Sequence, residues 1–347
     1  MPAEWEPHEA TWIAWPHNRD DWPGKFHPIP WTYAEIVRQL TRGELVRIIA
    51  NDGAHQRAAE RTLQQAHVSL DRVEFFRWKT DRVWTRDSGP IFVTRAAAPK
   101  IAVTHWQFNG WAKYPNYRRD EKLPALVAKR FELNSWQPET SARGKRQRFV
   151  LEGGSIDVNG QGTLLTTEEC LLSEVQQRNP GLSREQLEQG FADYLGIKKT
   201  IWLGNGIAGD DTHGHVDDIT RFVAPDTIVT VVENNSADPN HKPLEENLRR
   251  LRGETNASGS KLNVIELPLP TPVWFRGQRL PATYANFYIA NAAVLVPTFN
   301  DPHDKTALNI LTELFPHRDV VGIYCGDFIW GLGAIHCATQ QQPAIET

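Results

Sequence analysis

Cysteine and methionine are scarce in this chain: three Cys (Cys170, Cys325, Cys337) and one Met among 347 residues. An odd, sparse set of thiols does not make a disulfide framework and fits a reducing compartment, so a cytoplasmic location is expected. No apolar run approaches the ~20 residues of a membrane helix. The opening Met1-Pro2-Ala3-Glu4-Trp5 lacks the basic and apolar regions of a secretory signal. No basic tract marks a nucleic-acid surface, and 38 Lys and Arg against 42 Asp and Glu leave a formal net charge of −4. No repeat of fixed period and no shift in composition divides the chain, so residues 1–347 read as one domain.

Tryptophan is abundant, with 13 against the single Met. Apolar patterning and turn residues predict strands at 10–15, 45–50, 73–78, 91–94, 101–108, 200–203, 219–223, 227–233, 263–268, 287–290, 294–298 and 320–324. Helices are expected at 31–40, 54–65, 123–131, 183–195, around Leu244, Leu248 and Leu251, and at 306–315. Ser183 and Gln186 form a capping box, and Gly196 closes that helix. Asn159-Gly160 between apolar runs predicts a hairpin. Stretch 141–148 reads as a solvated basic bridge, 278–285 as a polar loop and 109–116 as an aromatic loop that could serve as a lid. Strands and helices alternate throughout, which makes the fold class α/β.

Several stretches carry chemistry. Cys337 sits among small residues after Gly331-Leu332-Gly333, which leaves room for a ligand at a thiol; a lone Cys in such a setting is more often a small buried hydrophobe. Arg86-Asp87 lies in a charged, Trp-containing loop feeding a strand, where a surface ion pair is the plain alternative. Glu152 precedes the Gly153-Gly154 pair at the start of the hairpin, where a turn-capping role is the plain alternative. His213-x-His215-x-Asp217 on a strand would put three ligand-type side chains on one face, a weak metal pattern that His303, His317 or His336 could extend. Asp87, Glu152, His215, Asp217 and Cys337 together offer a thiol, a base and an excess of acids. So many carboxylates would blunt a protease's thiol, but they suit a substrate that is itself a cation.

The segments Trp84-Thr85-Arg86-Asp87-Ser88-Gly89-Pro90, Glu152-Gly153-Gly154-Ser155, Thr163 to Cys170, Gly214-His215-Val216-Asp217 and Ile335-His336-Cys337-Ala338-Thr339-Gln340 resemble the agmatine deiminase family, which includes bacterial peptidylarginine deiminases. The opening Met1 to His8 resembles it too, so the likeness spans almost the whole chain. The resemblance implies the pentein fold, a five-bladed α/β propeller of ββαβ units about a pseudo-fivefold axis, with the site in a central channel. It implies a small cationic guanidino substrate, most simply agmatine, gripped by Asp87 and Asp217, with Cys337 as nucleophile. His215 would be the acid and base, and Glu152 would orient it. Neither metal nor organic cofactor is implied, nor a nucleic-acid or membrane partner; a homodimer is left open. Trp84 could stack on the substrate. His336, Cys170 and Cys325 are expected to be structural, His336 because neighbouring strand residues face opposite ways.

The stretch Gly209-Asp210-Asp211-Thr212-His213 is one residue shorter than the family's usual Gly-Asp-x-Asp-Thr-Asn. Gly331-Leu332-Gly333-Ala334 stands where Gly-Gly-Gly-Asn is common. Both departures bear on which guanidine is taken, and Asp211 is the expected acid for a distal amine. Peptidyl-arginine or another guanidino compound, an amidinotransferase reaction and, from a different class, a metal-dependent hydrolase using His213, His215 and Asp217 are the alternatives.

Overall fold

The computed structural model describes residues 1–142 and 145–345. Five times the chain lays down an antiparallel strand pair, then a helix, then a strand parallel to the second member of the pair. Ile91–Thr94 and Ile101–Thr104 pair, helix Leu123–Arg130 crosses, and Asn134–Trp136 adds in parallel. Asp157–Val158 and Thr163–Thr167 follow with helix Arg184–Leu195 and strand Lys199–Leu203. Thr220–Ala224 and Thr227–Val232 follow with helix His241–Arg252 and strand Asn263–Pro268. Tyr288–Ile289 and Ala293–Thr298 follow with helix His303–Leu314 and strand Asp319–Tyr324.

The remaining unit joins the two ends of the chain. Gln340–Pro343 pairs antiparallel with His8–Ala14, helix Ile29–Leu40 crosses, and Leu45–Ala50 adds in parallel. Helix Gly53–Gln65 and strand Val73–Arg77 extend that sheet.

Local chemistry fixes these elements where sequence patterning expects them. Ser183 and Gln186 close a reciprocal capping box, and Gly196 ends the helix at φ 72°, a left-handed conformation that suits glycine. Asp52 caps its helix by accepting from the Ala54 and His55 N–H groups, both at 2.8 Å. The Asn159-Gly160 hairpin forms as expected.

Three expectations change. The stretch expected as a solvated bridge is paired, Glu139–Ala142 against Lys145–Arg148, with residues 143 and 144 outside the described residues. The strand expected over 101–108 ends at Thr104, because Trp106 and Phe108 turn into different core clusters. Within the stretch expected as a polar loop, Gln278–Arg279 pairs with Trp274–Phe275.

The closing strand Gln340–Pro343 has no apolar alternation, yet all four residues are buried. Its glutamines are used as partners: Gln342 accepts from Trp12 Nε1 at 3.0 Å and Arg47 at 2.6 Å, and Gln340 donates to the Pro90 carbonyl at 2.9 Å. Buried amides are tolerable when hydrogen-bonded. Among the described residues no helix is long and apolar enough to cross a membrane.

Candidate active site

The segments entering the first strand of each unit carry the site. Asp87 lies in the short helix Thr85–Ser88 before Ile91–Thr94. Glu152 immediately precedes the 3-10 turn Gly153–Ser155 before Asp157–Val158. His215 and Asp217 flank the start of the turn Val216–Asp218 before Thr220–Ala224. Asn286 precedes Tyr288–Ile289, and Cys337 precedes Gln340–Pro343. Five equivalent positions in the repeated unit thus meet at one place.

There, Asp87, Glu152, His215, Asp217 and Cys337 are all buried. His215 sits among the acids: Nδ1 is 3.8 Å from Asp87 Oδ1 and 3.9 Å from Asp217 Oδ1, and Nε2 is 3.7 Å from Glu152 Oε2. These separations are attractive but longer than hydrogen bonds. Neither ring nitrogen, nor Asp217 Oδ1, has a hydrogen-bond partner among the described residues. Cys337 Sγ lies 3.8 Å from Asp217 Oδ2, so Asp217 neighbours both the thiol and the imidazole.

The Gly153-Gly154 pair is dictated by this crowding. A Cβ on Gly154 would fall 2.6 Å from His215 Nδ1 and 2.8 Å from Asp87 Oδ1, and one on Gly153 would fall 2.2 Å from the Arg86 carbonyl. Gly154 instead donates its N–H to Asp87 Oδ1 at 3.0 Å.

Each charge has a physical setting. Burial pushes the Asp87 carboxyl up to about 6; His215 and a hydrogen bond from Trp111 Nε1 at 2.9 Å pull the other way. Burial opposes ionisation of Glu152 too, but the Arg178 guanidinium, donating through Nε at 3.1 and 3.3 Å, and His215 hold it below the usual range. For Asp217, burial is likewise outweighed, by His336 Nδ1 donating to Oδ2 at 2.6 Å and by His215. Burial and the neighbouring Asp217 raise Asp218 well above the ordinary carboxylate value. Burial disfavours a charged His215, but Asp87 and the other neighbours raise it well above the ordinary histidine value. Burial and the carboxylates Asp217, Asp218 and Asp87 push the Cys337 thiol up.

The ion pair between neighbours Arg86 and Asp87, the plain alternative to a site role, does not form: Arg86 is buried against Glu4, Gln341 and the His336 carbonyl, while Asp87 lines the cavity. The strand geometry expected for 213–217 does not form. His213 and Gly214 have φ of 66° and 89°, and Asp217 lies in a turn. His215 and Asp217 share the site through that turn, and His213 turns away to Ser173 Oγ at 3.2 Å. The triad of His213, His215 and Asp217 is therefore not assembled as a ligand set. Among the described residues, ligand-type atoms do gather within 4.8 Å in two groups, Glu152 with Cys170 and His215, and Asp217 with Asp218 and Cys337. Cys170, expected as plain core, thus packs beside His215. His336, expected as support on a strand, lies instead in the turn that carries Cys337 and bridges Asp217 and Glu4 Oε2, the latter at 2.7 Å.

A cavity of about 110 Å³ opens onto Cys337 and Asp87. Trp84, Trp111, Tyr114, Asp211, Gly333 and the acids Asp20 and Asp21 are among its walls. Trp84 both lines the cavity and packs, since a Cβ on Gly333 would lie 2.8 Å from its ring. The aromatic loop expected over 109–116 supplies Trp111 and Tyr114.

Sequence reasoning missed Asn286. Its Nδ2 donates to Cys337 Sγ at 3.1 Å and to Asp218 Oδ1 at 2.9 Å, and its Oδ1 accepts the Cys337 N–H at 3.3 Å. Its signal was its place before the 287–290 strand, matching Asp87 and Glu152 before theirs. Arg178, behind Glu152, left no such signal.

Fold and site define an α/β protein whose cysteine stands among carboxylates in the wall of a cavity, a setting for cationic ligands. The chain belongs to the family described as Porphyromonas-type peptidyl-arginine deiminase, whose sequence profile matches residues 1–343. It is 36% identical over 367 residues to an agmatine deiminase of Pseudomonas aeruginosa, covering 99% of this chain and 95% of that relative. The solved agmatine deiminase of Enterococcus faecalis superposes with a TM-score of 0.88 at 31% identity, over 99% of this chain and 95% of that one. A C. jejuni agmatine deiminase with a Cys-to-Ser substitution, solved with substrate bound, superposes at 0.85 with 29% identity and the same coverage.

Proposed function

We propose that this protein is a guanidine-modifying hydrolase that converts agmatine and water to N-carbamoylputrescine and ammonia. The observation that carries the reading is the Cys337 thiol, 3.8 Å from the Asp217 carboxylate and sharing a cavity with Asp87. Full-length likeness to agmatine deiminases supports the choice of substrate.

A guanidinium is a poor electrophile because its charge is delocalised. Asp87 and Asp217 grip its nitrogens and fix its plane. The same acids raise the Cys337 thiol's affinity for its proton, and the docked cation offsets them, so ionisation accompanies binding. Sulfur attacks the central carbon. The charged His215 gives its proton to one nitrogen, the C–N bond breaks, and ammonia departs. An S-alkylthiouronium remains on Cys337. His215, now neutral, takes a proton from water, which adds to the same carbon. The C–S bond breaks, the ureido product leaves, and the thiol is restored. Glu152, held by Arg178, keeps His215 oriented and favours its charged form.

The five ββαβ units are best arranged as the blades of a propeller about a pseudo-fivefold axis, within one domain, with this cavity as the central channel. Support comes from the recurrence of one pattern, its closure by the chain's own last strand, and the meeting of five equivalent segments at one site.

An ammonia-release screen over agmatine, arginine, peptidyl-arginine and methylated arginines tests the function. Agmatine should lead; strong preference for peptidyl-arginine would move the reading to the alternative substrate, and no release from any guanidine would reject it.

A further inference from the structure

Taking the agmatine reading as given, we propose that Asp21, and not Asp211, receives the substrate's distal ammonium. Three acids line the cavity besides Asp87: Asp20, Asp21 and Asp211. Asp20 is exposed and meets water. Asp211, the acid expected from sequence, has both oxygens engaged: Lys113 pairs with Oδ1, and Tyr114 donates to Oδ2 at 2.6 Å. Its charge is already matched by a lysine, so little of it is left for a ligand.

Asp21 differs in both respects. It is 7% exposed, and its donors crowd onto one oxygen: Arg82 Nη1 at 2.7 Å and Asn18 Nδ2 at 3.3 Å both reach Oδ1. Oδ2 has no hydrogen-bond partner among the described residues. A buried carboxylate oxygen without a donor is costly to keep unless a ligand uses it. Even with Arg82 beside it, burial pushes this carboxyl up to about 6, so one guanidinium does not fully compensate it. An arriving ammonium supplies the missing positive charge.

The support around Asp21 is built to hold it. Asn18 caps the turn Arg19–Asp21, its Oδ1 accepting from the Asp20 N–H at 3.1 Å. Arg82 is fixed in turn by Asn116 at 3.3 Å and by the Tyr114 ring, whose centroid lies 4.0 Å from the guanidinium carbon. Arg82 therefore stays with Asp21 as its positioning residue. Asp87 and Asp21 both line the cavity; with the first for the guanidinium and the second for the amine, it selects a ligand cationic at both ends.

The test compares agmatine with butylguanidine, which lacks the amine, using the kcat/KM ratio of the two in each protein. Asp21→Asn should lower that ratio about tenfold or more, through KM for agmatine, whereas Asp211→Asn should lower it less. Thermal melting checks that each variant is folded at the assay temperature. If Asp21→Asn is not folded, Asp21→Glu decides instead: the longer acid should shift preference from agmatine toward aminopropylguanidine, one methylene shorter. A ratio within twofold of wild type in Asp21→Asn, a larger drop in Asp211→Asn, or an unmoved chain-length preference in Asp21→Glu overturns the inference. These failures occur with an active wild type and leave the deiminase reading standing, whereas a wild type that deiminates no guanidine overturns both.

Discussion

Two buried charge networks meet at Asp217, and they are finished to different degrees. On the rear side, Glu4 accepts four hydrogen bonds or ion pairs: Arg221 and the Ile289 N–H on Oε1, Arg86 and His336 on Oε2. Arg221 spends its remaining donors on Asp157 and on the Ala285 and Phe287 carbonyls. On the front side, both nitrogens of His215 and one oxygen of Asp217 have no hydrogen-bond partner among the described residues, at equal burial. Both networks use the same residue types, so composition does not separate them. What separates them is satisfaction: a complete buried network holds the chain together, and an incomplete one leaves its valences for a ligand. His336 joins the two, carrying the rigidity of the rear network to the acid beside the nucleophile.

The largest losses are expected on the front side. Cys337→Ser should lower turnover by about 10⁴-fold or more, as removal of a nucleophile does elsewhere, while melting temperature stays near wild type. Ammonia release and a melting curve on one sample decide it; substantial residual turnover would mean that another atom attacks. On the rear side the order inverts. Glu4→Gln removes the charge that Arg86, Arg221 and His336 share, and the guanidiniums stay buried. Breaking such a pair costs about 3–5 kcal/mol. Denaturant unfolding should show that loss, whereas the surviving folded enzyme should keep far more activity than Cys337→Ser. Between the two lies Asn286, which touches the thiol. Asn286→Ala should cost about 10- to 100-fold in kcat, the worth of a hydrogen bond to a charged acceptor, and should raise the pH at which Cys337 is alkylated by iodoacetamide. An unchanged alkylation profile would reduce Asn286 to packing.

The same contrast explains what could be read from sequence. Strands such as Leu45–Ala50 and the apolar start of Ile91–Thr94 fall where apolar patterning placed them, because their burial is one that hydrophobicity reports. Gln340–Pro343 was invisible because it is buried through its amides. Asp87, Glu152, His215, Asp217 and Cys337 were legible through motif resemblance, and they do meet. The reason offered for His215 and Asp217, alternation along a strand, was wrong: a left-handed turn at His213 and Gly214 brings them in. Glu4, Arg178 and Asn286 lie far along the chain from the groups they serve, and single-residue chemistry carries no trace of a partner more than fifty positions away, or of a salt bridge between Arg178 and Glu152.

The smallest expected effect probes how the front side is tuned. Asp87 must be ionised to grip a guanidinium, and burial places its carboxyl at about 6. Because the value is raised, Asp87 becomes protonated as pH falls through about 6, and kcat/KM should drop about tenfold for each further pH unit. Suppressed ionisation also means that charge on Asp87 works against the fold: its contribution to stability is full below the ordinary carboxylate value and is lost as pH rises through about 6. Trp111 moderates this, since its Nε1–H donates to Asp87 Oδ2 at 2.9 Å and favours the charged form. Trp111→Phe keeps most of the ring and removes the donor. A hydrogen bond to a charged group is worth about 1.5–3 kcal/mol, and about 1.4 kcal/mol corresponds to one pH unit, so at the lower end of that range the acid limb should move up by about one unit. At pH 8 the variant should then approach wild-type kcat/KM, and at pH 6 it should fall well below. A loss of equal size at both pH values would instead make Trp111 a wall of the cavity whose effect does not pass through the Asp87 proton.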